Sequence, residues 1–455
     1  MKINKLCDFV GRAGRKLDQY SSYKPVPLNL KNLIEFGNNA PASKSFEFLR
    51  NELPVRIANI VQELRLLPPN LLRTTALRRV SNMYEETFET LLKYENCDVT
   101  RLPAISDFTD DLRGIVDRHS NVVAFMALGI KEAKQDADLS ADDEKQLHYF
   151  LDRFYINRIG IRMLINQHIL LYGPLLHENR SNVGSIDPSC SPLQLAISAY
   201  GHARFLCAQV YGQAPGCDMF VYDQMSKNKG LQISATVDPD GIPSSSRHLF
   251  PKKPSCAGLH VEGRDFTFCY LPGHLFHVLF ELMKNAMRAV TEAKPPSSEL
   301  PRLKVIVCNA QEDVTIKLSD KGGGMSRRVA EQAFKYTFTT ASHLSLPVEH
   351  ASLKSVVPAD LQNEDFDEDP EGVHFSPLAG RGHGLSLSRL YTRYLSGDLQ
   401  LITVEGHGTS ALVYMKRLPE DANEVLPVFN QTSRAFYQDR NRDQDWISGS
   451  ACNRL

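Results

Sequence analysis

His277-Val-Leu-Phe-Glu-Leu-Met-Lys-Asn-Ala-Met-Arg288 is the most informative stretch of this chain. Coiled as an α-helix, it places His277, Glu281, Asn285 and Arg288 at steps of four, four and three, and so on one face. Val278, Leu279, Leu282, Met283 and Ala286 take the remaining positions and can bury against a sheet. The polar face offers a carboxylate that can take a proton, a neutral oxygen ligand and a cation. Phosphoryl transfer to a hydroxyl needs that set: a base, a hard oxygen for Mg²⁺ and positive charge beside the phosphates. Taken alone, the pattern is more often that of a solvated helix face with an i,i+4 histidine–glutamate pair.

The segments that follow narrow the choice. The alternating run Val314 to Ser319 reads as a strand and leads into Asp320-Lys-Gly-Gly-Gly-Met, with Gly322 and Gly324 among its glycines. An aspartate at a strand end can accept from an adenine amino group, and the glycines let the backbone come close to the base. Leu378-Ala-Gly-Arg-Gly-His-Gly-Leu then precedes a helical pattern over Gly384 to Tyr394. Its glycines Gly380, Gly382 and Gly384 permit backbone N–H groups to converge on phosphate oxygens at a helix N-terminus. Finally Gly406-His-Gly-Thr-Ser supplies Thr409 between two further strands. A lone G-x-G-x-G usually means a turn; four motifs in this order, each on a suitable element, point to a nucleotide pocket.

Around these motifs Arg302 to Cys308 and Asp313 to Ser319 form a hairpin, and Leu399 to Val404 pairs with Ala411 to Lys416. Helical patterns cover Leu275 to Thr291, Arg327 to Lys335 and Gly384 to Tyr394, so the half past about Gly212 is α+β with a mixed or antiparallel sheet. From about Leu28 to Val210 apolar residues recur at three and four, the pattern of an α-helical bundle. Ser43 to Pro54 and Val55 to Leu64 read as two helices broken at Pro54, and Gln146 to Leu170 as one long helix. Asp238 to Pro254 and Leu344 to Gly372, the latter closing on the acidic run Glu364 to Asp369, read as disordered or linker-like.

A formal charge of −1 over 455 residues gives no general reason to expect nucleic acid or an anionic membrane as partner. The most apolar stretch, Ile165 to Leu176, contains Asn166, Gln167 and His168, so no membrane span is expected. Nine scattered cysteines, odd in number and never spaced C-x-x-C, argue against a disulfide framework or a zinc site. The first 20 residues carry Lys2, Lys5, Arg12, Arg15 and Lys16 without an apolar core, which excludes a secretory signal. They read as a basic helical start or as the remnant of a mitochondrial presequence.

The motif order H-x₃-E-x₃-N, D-x-G-G-G, G-x-G-x-G, G-x-G-T resembles the GHKL (Bergerat) ATP-binding fold of gyrase, a class of heat-shock chaperones, bacterial histidine kinases and MutL. Phe280 to Ala289 resembles the mitochondrial protein kinases, and Asn51 to Asn59 and Phe150 to His168 are similar to the pyruvate dehydrogenase kinases. The resemblance runs from about Leu28 to Trp446. It implies an α plus α/β chain: a basic segment at 1–27, a four-helix-bundle-like docking and regulatory domain at 28–211, an α/β-sandwich kinase domain at 212–420 with an extended ATP lid at 341–379, and a tail at 421–455. It implies Mg²⁺–ATP as cofactor, serines of the pyruvate dehydrogenase E1α subunit as substrate, the lipoyl domain of the E2 acyltransferase as partner, a homodimer and the mitochondrial matrix.

By resemblance, Glu281 is the general base and His277 orients it, while Asn285 binds Mg²⁺. The nucleotide segment continues through Leu282, Met283, Lys284, Ala286, Met287 and Arg288. Asp320, Gly322, Gly324 and Thr409 match the adenine region, Thr339 and Thr340 a nucleotide-contacting pair, and Gly380, Arg381, Gly382, His383, Gly384 and Leu385 the phosphate loop. Arg381 and His383 stand where the family usually has aromatics, which weakens the case for a K⁺ site at that loop. Leu28, Leu33, Phe36 and Phe48 match a lipoyl-lysine pocket, and Asp445-Trp446 a tail motif that crosses to the partner subunit. Tyr84, His119, Arg158 and Arg162 match an allosteric pyruvate pocket, with Val116 where an arginine is expected. The rival readings are a branched-chain 2-oxoacid dehydrogenase kinase, an ATPase of the same fold in which Glu281 activates water, a lipoyl-binding scaffold without activity, and a phosphohistidine kinase.

Overall fold

The computed structural model describes residues 14–98, 101–136, 141–173, 182–225, 234–235, 258–294, 299–336, 338–340, 382–438 and 446–448. The expected linker at 238–254, the whole ATP lid at 341–379, Gly380, Arg381 and Asp445 lie outside them. Contacts divide the chain into two units. One comprises residues 1–28, 32–177 and 423–455; the other comprises 29–31 and 178–422. The division falls after His177 rather than at 211.

The first unit is helical: α1 (Leu30–Asn39, whose first two residues group with the second unit), α2 (Ala42–Arg65), α3 (Thr75–Leu92), α4 (Leu102–Arg118), α5 (Val122–Asp136) and α6 (Ala141–Tyr172). Helix α2 packs on α3 and α6, α3 on α5, and α4 on α6. The break expected at Pro54 does not occur, because α2 runs through it. A proline inside a helix costs about 3 kcal/mol or more. Phe46, Leu49, Leu53, Ile57, Ile60, Val61 and Leu64 are buried along α2, and at about 1.5–3 kcal/mol each their burial exceeds that cost. Tertiary packing therefore overrides the local rule.

Charged groups are buried in this unit as ion pairs. Arg153 on α6 binds Glu63 on α2 through Nη2 at 2.5 Å and Nε at 3.0 Å, with both side chains almost fully buried. Arg153 Nη2 also donates to the Val428 carbonyl, and Tyr437 O–H to Glu63. Arg56 pairs with Glu52 at 2.7 Å and with Glu424 at 3.0 Å. These bonds hold residues 423–438 on the bundle, where the short strand Val425–Pro427 pairs with Trp446–Ser448 and Phe436 stacks on Tyr149.

The second unit carries helix α7 (Pro192–Tyr211), strands β1 (Cys217–Asp223), β2 (Ser234–Ala235) and β3 (Leu259–Glu262), helix α8 (Pro272–Glu292), strands β4 (Leu303–Asn309) and β5 (Asp313–Ser319), helices α9 (Arg327–Gln332) and α10 (Gly384–Tyr394), and strands β6 (Asp398–Val404) and β7 (Gly408–Lys416). Seven strands form one sheet in the order β2-β3-β1-β4-β5-β7-β6. It is mixed: β1 runs parallel to β3 and β4, and the other pairs are antiparallel. Both hairpins expected from alternation are present, β4–β5 and β6–β7. Helix α7 belongs here because it lies on α8: His202 meets Phe276 at 5.7 Å and Tyr211 O–H donates to Glu292 at 2.7 Å. That packing is why the unit begins before residue 212.

Removing one partner of a buried ion pair strands the other charge. Arg153→Met should destabilise the helical unit by roughly 3–5 kcal/mol, and Arg153→Met with Glu63→Leu should recover most of it. Urea unfolding followed by circular dichroism measures both; equal stability of the single and double variants would show that the stranded charge is not the cause.

Candidate active site

Helix α8 starts at Pro272, a residue whose missing N–H goes unneeded in the first turn of a helix. Leu275, Phe276, Leu279, Leu282, Met283, Ala286, Met287 and Val290 are buried, against α7, α10 and β5. Of the expected nucleotide segment, Leu282, Met283, Ala286 and Met287 thus serve the core. His277, Glu281 and Lys284 are also buried, whereas Asn285 and Arg288 are half-exposed.

Glu281 is the centre of the cluster. Lys284 Nζ lies 2.5 Å from its Oε1 and 4.9 Å from the centre of the Phe280 ring. Burial pushes the Glu281 carboxyl up, but the Lys284 charge, His277 and the Lys284 hydrogen bond outweigh it, and the group is held below its ordinary value. The first residue of α10, Gly384, lies so close that an added Cβ would collide with Glu281 Oε2. The carboxylate therefore sits at a helix N-terminus, where the backbone dipole favours negative charge. His277 packs its ring 4.7 Å from Tyr391 of α10, and His274 lies 4.8 Å from the same ring.

The phosphate-loop residues that are described cap α10. Gly382 has φ +81°, which favours glycine. His383 is buried, with its ring 5.4 Å from Tyr336. Ser386 O–H donates to the Phe334 carbonyl at 2.8 Å, so the segment after α9 is tied to this helix. Leu385 is half-buried.

A second cluster closes the other end. Gly322 presses the turn after β5 against α8, where a Cβ would stand 2.6 Å from the Ala289 carbonyl carbon. Asp320 Oδ1 accepts from Gly322 N–H at 2.9 Å and Thr409 N–H at 3.3 Å, and Asp320 N–H donates to the Thr409 carbonyl. Burial, opposed by those two N–H bonds, raises the Asp320 carboxyl. Gly323 and Gly324 have φ of +83° and +65°. Arg288 reaches Thr340 Oγ1 at 2.9 Å, and Thr339 and Thr340 are exposed.

The site gathers a buried carboxylate, cations, a helix N-terminus and a second, part-buried carboxylate on one helix and its neighbours. The donor set fits Mg²⁺–ATP. Asn285 keeps a half-exposed amide that hydrogen-bonds to nothing among the described residues. Among the described residues no group of three or more His, Cys, Asp or Glu is placed to hold a metal ion. Sequence reading missed the Gly384–Glu281 contact and the role of Tyr391. Lys284, read from the sequence only as part of the nucleotide segment, stands three residues after Glu281, a spacing at which helix side chains can pair.

In the helical unit Tyr84, His119, Arg158, Arg162 and Val116 are all buried. His119 meets Tyr84 at 4.6 Å and Thr87 Oγ1 at 2.8 Å, and its carbonyl accepts from Arg158. Burial, then the Arg158 charge, push the imidazole down to about 3, so it carries no charge near neutral pH. Arg113 pairs with Asp110 at 2.8 Å and Arg118 with Glu86 at 2.6 Å. Of the expected lipoyl residues, Leu33 is buried, and Leu28, Phe36 and Phe48 are half-buried, the two rings 6.5 Å apart.

Two family models match: mitochondrial branched-chain alpha-ketoacid dehydrogenase kinase over residues 27–187, and the histidine kinase-, DNA gyrase B- and HSP90-like ATPase over 271–421. The chain is 40% identical to the mitochondrial pyruvate dehydrogenase (acetyl-transferring) kinase of Drosophila melanogaster, covering 95% of this chain and 91% of that one. It is 38% identical to that of Ascaris suum, covering 96% and 94%, and 37% identical to isozyme 4 of Homo sapiens, covering 96% and 92%. With likeness of this order along nearly its whole length, the chain belongs to the mitochondrial pyruvate dehydrogenase kinase family.

Proposed function

We propose that the chain is a protein serine kinase of the mitochondrial matrix that transfers the γ-phosphate of Mg²⁺–ATP to the E1α subunit of pyruvate dehydrogenase. The observation that carries this reading is the buried Glu281 carboxylate, held between Lys284 and the N-terminus of α10. Glu281 takes the proton of the acceptor serine, and His277, braced on Tyr391, fixes the local field around it. Lys284 and Arg288 supply positive charge to the phosphates, with the α10 N-terminus at Gly382 to Leu385. Asn285 is the side chain placed to hold Mg²⁺, which when bound neutralises charge on the transferring phosphoryl. Asp320 and Thr409 receive the adenine, and Thr339, Thr340, Gly380 and Arg381 complete the nucleotide contacts.

Docking on the lipoyl domain through Leu28, Leu33, Phe36 and Phe48 belongs to the same reading, as does a homodimer whose tails carry Asp445-Trp446. The half-buried Phe36 and Phe48 rings support the first, since an acyl-lipoyl chain requires an accessible apolar slot. Among the described residues no helix is long and apolar enough to cross a membrane.

Glu281→Gln should retain ATP binding and lose transfer by roughly 10²-fold or more. Asn285→Ala should lose the Mg²⁺-dependent part of nucleotide affinity. Labelled ATP with E1 and E2, plus equilibrium binding, checks both; near wild-type phosphorylation by Glu281→Gln removes the base.

Lys284 holds the Glu281 carboxyl down. Replacing it as Lys284→Met removes the largest opposition to burial, leaving only His277, and the carboxyl titrates at higher pH. A base works deprotonated, so the acid limb of the kcat profile should move to higher pH. A limb at the wild-type position means Glu281 is not the titrating group.

Binding of a carboxylate at Arg158 and Arg162 should be weak. His119 is neutral, Arg113 and Arg118 are paired with carboxylates, and Val116 adds no charge. One missing charge-assisted hydrogen bond is worth about 1.5–3 kcal/mol, roughly 10- to 150-fold in affinity. Pyruvate should inhibit the wild type weakly and Val116→Arg strongly; strong inhibition of the wild type contradicts this.

A further inference from the structure

The adenine end of the site contains a hydroxyl relay not used above. Thr403 on edge strand β6 stands opposite Thr409 on β7, and their hydroxyl oxygens are 3.1 Å apart. Thr403 Oγ1 accepts the Met325 N–H at 2.8 Å. Its own proton has two acceptors within reach, Thr409 Oγ1 at 3.1 Å and the Gly408 carbonyl at 3.5 Å. The Thr409 contact lies close to the usual O–H···O range of about 2.5–3.0 Å and the Gly408 contact well outside it, so Thr409 is the better acceptor. Thr409 Oγ1 then receives a proton and directs its own elsewhere, and its side chain bonds to no other described residue.

Beside it, Asp320 Oδ1 is occupied by two backbone N–H groups, while Oδ2 accepts from nothing among the described residues. The pocket edge therefore shows an acceptor, Asp320 Oδ2, next to a donor, the Thr409 hydroxyl. Adenine presents the complementary pair, an amino donor beside the N1 acceptor. Guanine presents the reverse, the O6 acceptor beside an N1–H donor. Reversing the relay would make Thr409 an acceptor and turn the edge toward guanine.

Resting on the ATP reading above, we propose that Thr403 is a specificity-determining residue, which fixes the Thr409 hydroxyl as a donor and thereby makes the site select adenine over guanine. It acts through Thr409, directly or across one water to N1, and touches no ligand itself.

The test uses the full chain with Mg²⁺ and compares equilibrium binding of ATP, 1-deaza-ATP and GTP. Wild type should bind ATP about tenfold tighter than 1-deaza-ATP, the value of one well-made hydrogen bond. Thr403→Val should shrink that gap to about threefold or less and narrow the preference for ATP over GTP, while Thr403→Ser keeps both. Thr403→Ala repeats the comparison if the valine variant unfolds. If hydroxyl removal weakens all three nucleotides by one factor, Thr403 merely braces the turn at Met325 and the proposal fails. Asp320→Asn separates this from the parent reading. If it leaves ATP affinity unchanged and wild type does not distinguish ATP from 1-deaza-ATP, the adenine pocket itself is misplaced. An Asp320 effect without a Thr403 effect overturns only the relay.

Discussion

Burying a carboxylate in a protein interior is expensive unless positive charge or N–H donors surround it, and the nucleotide-binding unit is organised around one such group. Glu281 is supported along its own helix by Lys284 and His277, and across the interface by the first turn of α10. The approach is close enough that a side chain at residue 384 would have to displace the Glu281 carboxylate. The positions of α8 and α10 are thereby coupled. Tyr391, a further two turns along α10, fixes the His277 ring. A displacement of α10 would alter the proton affinity of Glu281, the setting of His277 and the direction of the N–H groups at Gly382 to Leu385 together.

The helical unit solves a similar problem differently. Arg56 and Arg153 are almost fully enclosed, and each is neutralised by carboxylates. Such pairs add little net stability compared with apolar packing, but they penalise any arrangement that separates them. Arg158, also buried, donates to the His119 carbonyl at 2.9 Å, and burial with the Arg158 charge keeps the His119 imidazole neutral.

Much of this was legible in the sequence where the signal was local. The two hairpins follow from alternation, the shared face of His277 and Glu281 from helical spacing, and the α10 start from glycines before an apolar period. Pro54 misled because a local rule was outweighed by burial along α2. The unit boundary misled because α7 reads like another bundle helix, and only its contacts with α8 assign it elsewhere. The Gly384–Glu281 contact and the Thr403–Thr409 relay were hidden for another reason. The first joins residues distant in the sequence, and the second depends on strand register, which side-chain chemistry alone does not specify. The phosphate loop's Gly380 and Arg381, named from motif order, lie outside the described residues.

The buried Arg56–Glu424 pair spans a sequence separation of 368 residues, and Glu424 also bonds the backbone at Leu28 on both its N–H and its carboxylate. The second unit is nested inside the first, between residues 177 and 423. A chain emerging from N- to C-terminus can thus complete most of the sheet unit while the helical unit still lacks residues 423–438. Until they arrive, Arg56 and Arg153 lack partners they bury in the finished fold, and contacts of such high order are slow to form. The helical unit is therefore closed by contacts of long sequence separation, between residues 28–177 and residues 423–438.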